Sequence, residues 1–148
     1  MKLYTIIYIS TPTERFKQED LEDIAATAQK FNREKTITGL LLYSGDHFMQ
    51  VLEGDYADLT ALFANIEKDP RHHHIEVLMG APTPSRQFPA WSMGVVDISA
   101  SDRLEPGSMR ALCDQVEGAR YAAAQAALGI LERFRYDCVS DTGVGIAS

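Results

Sequence analysis

At 148 residues and 45 % hydrophobic content, the chain can bury one core of ordinary size, so a single domain is expected. Its 14 Lys and Arg against 21 Asp and Glu give a net charge of −7 without a dense basic block, which argues against nucleic acid as a partner. No apolar run approaches the roughly 18 residues that cross a bilayer, and the first apolar stretch is too short for a secretory leader, so a soluble cytoplasmic protein with no membrane partner is expected.

The first element is LYTIIYI, positions 3 to 9, whose β-branched and aromatic residues predict a strand ended by Ser10, Thr11 and Pro12. Leu3, Thr5, Ile7 and Ile9 share one face of it, and Tyr4, Ile6 and Tyr8 the other. From Asp20 to about Asn32, Leu21, Ile24, Ala25, Ala28 and Phe31 recur at helical spacing and predict an amphipathic helix. Gly39 opens a second strand, which turns at Ser44, Gly45 and Asp46 into a third and makes a hairpin. Asp55 is the N-cap type for a second helix with the stripe Tyr56, Leu59, Leu62, Phe63 and Ile66, stopped by Asp69, Pro70 and Arg71. Strands near IEVLM and WSMGVV complete the order βαββαββ. That order predicts an α/β (α+β) fold of ferredoxin-like type, a mixed sheet with two helices across one face.

The other sheet face is apolar too and needs a cover. The segment from Leu104 to Phe134 supplies one, with Met109, Leu112 and Val116 as one helical stripe, and Tyr121, Ala124, Leu128 and Leu131 as another beyond Gly118. The expected division is a core over 1–97, a helical cap or output segment over 98–136 and a disordered tail over 137–148. Cys113 and Cys138 fit neither a metal spacing nor a disulfide framework and read as free thiols.

Gln50 is the residue that points to chemistry. It shares a strand face with Phe48 and Leu52, while Met49 and Val51 take the other, so both faces look buried around a carboxamide. Leaving that amide unpaired costs about 1–3 kcal/mol, so a polar partner must stand against it. The strand pattern leaves that partner open; Tyr8 taken alone reads as a core strand tyrosine with its hydroxyl satisfied by backbone.

Tyr8 in YIS, Asn32 in FNREKTITG, Gln50 in FMQVLEG, Asp69 to His72 in DPRH, and FPAWSM at 88 to 93 together resemble a BLUF domain, the blue-light sensor that uses flavin. The resemblance covers about positions 3 to 97. It implies a noncovalent flavin, FAD with FMN as the alternative, between the two helices. It also implies that a tyrosine and a glutamine, here Tyr8 and Gln50, reach that flavin from adjacent strands as a photochemical relay. Asn32 then clamps the polar edge of the ring, Ile24, Phe48 and Ile66 line it, and Arg71 and His72 stand at a corner near it. Lys30 is placed toward the flavin phosphates, Phe31 at the helix end where some relatives carry a polar residue, and Trp91 and Met93 as rival neighbours of Gln50 on the way to the surface. Ordinary readings stand beside these: Asn32 as a helix C-cap, Lys30 as a solvated side chain, Trp91 as core.

His72, His73 and His74 alternate in direction along an extended segment without Cys or acidic company, so no metal is expected. The implied protein is a photoreceptor and not an enzyme, a homo-oligomer that signals to a downstream protein in trans. Its competitors are a flavin-free ferredoxin-like regulatory module and, last, a hydrolase of acylphosphatase type, for which the anion loop near the first strand is missing.

Overall fold

Strand parity divides the molecule into two cores. The computed structural model describes residues 2–89, 92–97, 120–133 and 144–146. Its elements run β1 (Leu3–Pro12), α1 (Gln18–Lys35), β2 (Thr38–Tyr43), β3 (Phe48–Asp55), α2 (Tyr56–Lys68), β4 (His72–Pro82), β5 (Gly94–Asp97), α3 (Arg120–Arg133) and β6 (Val144–Ile146). The sheet order is β4-β1-β3-β2-β5-β6. β1 is antiparallel to β3 and β4, β2 is antiparallel to β3, and β5 lies parallel to β2. This is the expected ferredoxin-like arrangement with strands added at one edge.

On one face, Tyr8, Leu41, Phe48 and Leu52 pack against Leu21 and Ala25 of α1 and Leu59 and Phe63 of α2. On the other, Ile7, Leu40, Met49 and Val51 pack with Phe88 and with Ala127 and Leu131 of α3. The C-terminal cover therefore exists. Its buried line is Ala127 and Leu131 with Leu128 partly buried, four residues apart as one helix face requires. The stripe of Met109, Leu112 and Val116 lies outside the described residues.

Local chemistry sets the helix ends. α1 starts where the Lys17 N–H donates to Asp20 Oδ2 at 2.8 Å. It closes at Thr36, whose φ of 55° is left-handed, with Ile37 N–H returning to Asn32 O at 2.8 Å, a C-terminal motif that carries the helix past the expected Asn32. α2 begins as predicted, with Asp55 Oδ2 accepting from the Ala57 N–H at 3.2 Å. Asp55→Ala should cost about 1 kcal/mol, read as a lower denaturant midpoint at unchanged slope. At Gly39 a Cβ would stand 2.1 Å from Val51 O, so only glycine lets β2 lie this close to β3.

Three expectations change. β5 begins at Gly94, so Met93 precedes the strand, and Trp91 lies outside the described residues. Phe31 is 36 % exposed, because the buried line of α1 runs through Leu21, Ala25, Gln29 and Asn32. The tail is not structureless at Val144–Ile146, which pairs in parallel with β5. Among the described residues, no helix is long and apolar enough to cross a membrane.

Candidate functional site

The site is built on the two central strands. Tyr8 of β1 and Gln50 of β3 are register partners, so their side chains stand side by side on the face that carries α1 and α2. The Tyr8 hydroxyl donates to Gln50 Oε1, and Gln50 Nε2 donates to Met93 Sδ at 3.1 Å. Tyr8 is 4 % and Gln50 7 % exposed. The buried amide thus has both ends engaged, by a phenol and a thioether. Burial, and secondarily the Asp69 carboxylate, pushes the Tyr8 phenol above the usual tyrosine range, so the neutral form persists and its proton is available for donation.

Beside this pair a cleft of about 90 Å³ opens to solvent. Ile24 of α1, Ile66 of α2, Phe16, Leu41 and Phe48 give it apolar walls, and Tyr8, Gln50, Asp69, Arg71 and His72 its polar groups. Phe48 is packed edge-on by Phe16 at 5.2 Å and at a tilt by Tyr43 at 5.2 Å, geometries that aromatic pairs favour.

The corner after α2 is fixed by His72. Its Nε2 bonds Ile66 O at 2.7 Å and its Nδ1 bonds Ser10 Oγ at 2.8 Å. Since a carbonyl only accepts, Nε2 carries a proton there. Arg71 turns back onto Asp69, with Nε donating at 2.9 Å and 3.0 Å to its two oxygens. That pairing holds the Asp69 carboxyl below the usual carboxylate range.

On the α1 side the polar residues of the buried line reach across to the residues before β5. Asn32 Nδ2 donates to Ser92 O at 2.6 Å and Gln29 Nε2 to Met93 O at 3.0 Å. Asn32 is therefore not the helix cap, a role taken by Thr36. Asn32 Oδ1 is buried with no partner, an acceptor that asks for a donor from outside the protein. A flavin ring fits this set: its imide N–H suits Asn32 Oδ1, its flat apolar body suits Ile24, Phe48 and Ile66, and its carbonyl edge suits an amide N–H such as that of Gln50.

The structure thus gathers Tyr8, Ile24, Phe48, Gln50, Ile66, Arg71 and His72 around the cleft, with Met93 against Gln50. Lys30 and Phe31 are exposed and do not line it, and neither does Asn32, which is buried beside Ser92. Phe16, Leu41 and Gln29 escaped the sequence reading. Leu41 was findable by parity, since it pairs with Gln50. Phe16 sits in a loop without periodicity, and Gln29 is a polar residue in a stripe sought by its apolar members. No group of three metal-ligating side chains occurs among the described residues.

A groove of about 410 Å³ shares Phe16 and Arg71 with the cleft and is lined besides by Arg15 and Lys17 and by Glu14, Glu19, Asp20 and Asp23.

A family model described as sensors of blue-light using FAD, BLUF, matches residues 3–94. The chain is 40 % identical over 94 residues to the photoactivated adenylate cyclase subunit alpha of Euglena gracilis, covering 62 % of this chain and 9 % of that one. It is 32 % identical over 101 residues to the blue light- and temperature-regulated antirepressor BluF of Escherichia coli, covering 68 % of this chain and 25 % of that one. It therefore spans a quarter or less of these relatives' length. Among solved structures, the dark state of BlrB, a BLUF protein, superposes with a TM-score of 0.71 at 30 % identity, over 87 % of this chain and 96 % of that one.

Proposed function

Because the chain belongs to the BLUF family of blue-light sensors using FAD, we propose that Tyr8, Gln50 and Met93 form its light-driven relay and that the signal passes to a partner protein in trans. The observation that carries this reading is the buried run of contacts from the Tyr8 hydroxyl through both ends of the Gln50 amide to Met93 Sδ, at the edge of the cleft. When bound and excited by blue light, a flavin supplies the electron acceptor. Tyr8 supplies the electron and its hydroxyl proton, with no strong base needed because Gln50 Oε1 already accepts from it. Gln50 can exchange its donor and acceptor ends by rotation or tautomerisation, and rotation withdraws the Nε2–H from Met93 Sδ. Asn32, Ile24, Phe48, Ile66, Arg71 and His72 hold the ring against this pair. Lys30 and Phe31, both exposed, stand apart from the lining of the cleft.

We assign FAD rather than FMN to the cleft, because the family model is described as using FAD and the adjoining groove of about 410 Å³ gives a dinucleotide tail room. Flavin released from the protein by denaturant should run as FAD on chromatography, and FMN would overturn this choice. The native protein should be yellow, with flavin bands that move slightly to the red under blue light and return in darkness. A colourless protein would favour a flavin-free regulatory module instead. A bound flavin whose bands bleach or stay fixed would sink the relay. Self-association, and a binding partner for the α3 face, belong to the same reading, and light scattering in dark and light tests the first of them.

A further inference from the structure

The relay leaves one buried acid unused. Glu53 lies three residues past Gln50 in β3 and so on the opposite sheet face, where it is 1 % exposed. Its carboxylate accepts from the main-chain N–H of Gln87 at 2.6 Å, from that of Phe88 at 2.8 Å and from Thr38 Oγ1 at 3.3 Å. Arg86 adds bonds of 2.9 Å from Nη1 to Thr38 Oγ1 and Glu53 O, while its Nη2 is buried without a partner. A buried carboxylate persists only when it is hydrogen-bonded in this way. Aimed at two main-chain N–H groups, it fixes backbone rather than a side chain.

The backbone it fixes belongs to the connection between β4 and β5. Those strands are separated in the sheet by β1, β3 and β2, so the connection must cross three strands. Phe88, 3 % exposed, sits in the same core as Ala127 and Leu131 of α3. At the far end of the connection, Ser92 and Met93 are held on the cleft side by Asn32, Gln29 and Gln50. A single strand therefore grips one strap at both ends, Glu53 from one face and Gln50 from the other. Phe88 and Ser92 are four residues apart and cannot separate by more than about 14 Å, which bounds how far Met93 can move without pulling on the end that Glu53 anchors.

We propose that Glu53 is a positioning residue of the light switch: by anchoring Gln87 and Phe88 it resists the release of Met93 from Gln50 and turns that release into a load on the core under α3. This rests on the reading of Tyr8, Gln50 and Met93 as the relay. Glu53→Gln keeps the size of the side chain but points an NH₂ group at a main-chain N–H. The flavin-bound variant should retain the dark spectrum and the red shift. In darkness its Gln87 and Phe88 amide protons should exchange faster than in the wild type. Its return from the lit state should slow severalfold, and the light-dark difference in amide exchange over Arg120–Arg133 should disappear. Thr38→Val, which removes one bond to Glu53 and one to Arg86, should give the same changes to a smaller degree, and decides the matter if Glu53→Gln fails to fold. Recovery at the wild-type rate, with the exchange difference in α3 intact, overturns the proposal. A wild type without a red shift overturns the relay and the strap together, whereas a switching wild type with unaltered variants overturns the strap alone.

Discussion

Tyr8→Phe is expected to leave the flavin bound and to abolish the light-induced red shift. The ring of Tyr8 packs 5.5 Å from Phe63 and 6.3 Å from His72, contacts that a phenylalanine reproduces, so the cleft keeps its wall. Only the hydroxyl is lost, and with it the proton and the easily oxidised group that face Gln50 Oε1. The stranded amide oxygen costs about 1–3 kcal/mol unless the amide turns to another donor, so a modest drop in thermal midpoint should accompany the loss. Because burial keeps the wild-type phenol protonated beyond the usual tyrosine range, the wild-type shift should hold its amplitude up to about pH 10. A variant with bound flavin and a normal red shift would remove Tyr8 from the relay.

Gln50→Leu should give the same spectral result for a different reason. Leucine fills a similar volume between Phe48 and Leu52 and suits the apolar cleft wall, so flavin content should survive. It can neither accept from Tyr8 nor donate to Met93 Sδ. Tyr8 keeps its oxidisable ring in this variant, so light can still move an electron, yet nothing remains to rearrange and the absorption band should return to its dark position without a lasting shift. The two variants separate the source of the proton from its carrier. Their dark spectra should differ as well, since only Gln50→Leu deletes the amide at the cleft edge. A persistent red-shifted state in Gln50→Leu would refute the amide relay.

The parts of this site that could be read in advance are those governed by short-range rules. Strand parity placed Tyr8, Gln50, Phe48 and Leu52 on one face and Met49 and Val51 on the other, and the structure agrees. Asp55 announced the start of α2 because a carboxylate at that position satisfies a free helical N–H. The failures have physical causes. Apolar periodicity nominated Ala28 and Phe31 for the buried face of α1; Ala28 packs there, half-buried, but Phe31 is exposed and Gln29 and Asn32 complete the buried line, paid for by hydrogen bonds to Met93 O and Ser92 O some sixty residues away. No local rule contains those partners. Arg71 and His72 enter only through family likeness, and what fixes His72 is a pair of oxygens, one on Ile66 in the preceding helix and one on Ser10, sixty-two residues away. Likewise β6 owes its existence to a free edge of β5, which the short run Val144–Ile146 could not advertise by itself.

The sheet order has a mechanical consequence. β1 and β3, which seat Tyr8 and Gln50, each have a hydrogen-bonded strand on both sides, whereas Met93 stands just before the start of the four-residue strand β5. Under the proposed relay, main-chain register therefore fixes the spacing of the proton's donor and its carrier, and the link that a turn of the Gln50 amide breaks is a side-chain one, from Nε2 to Met93 Sδ.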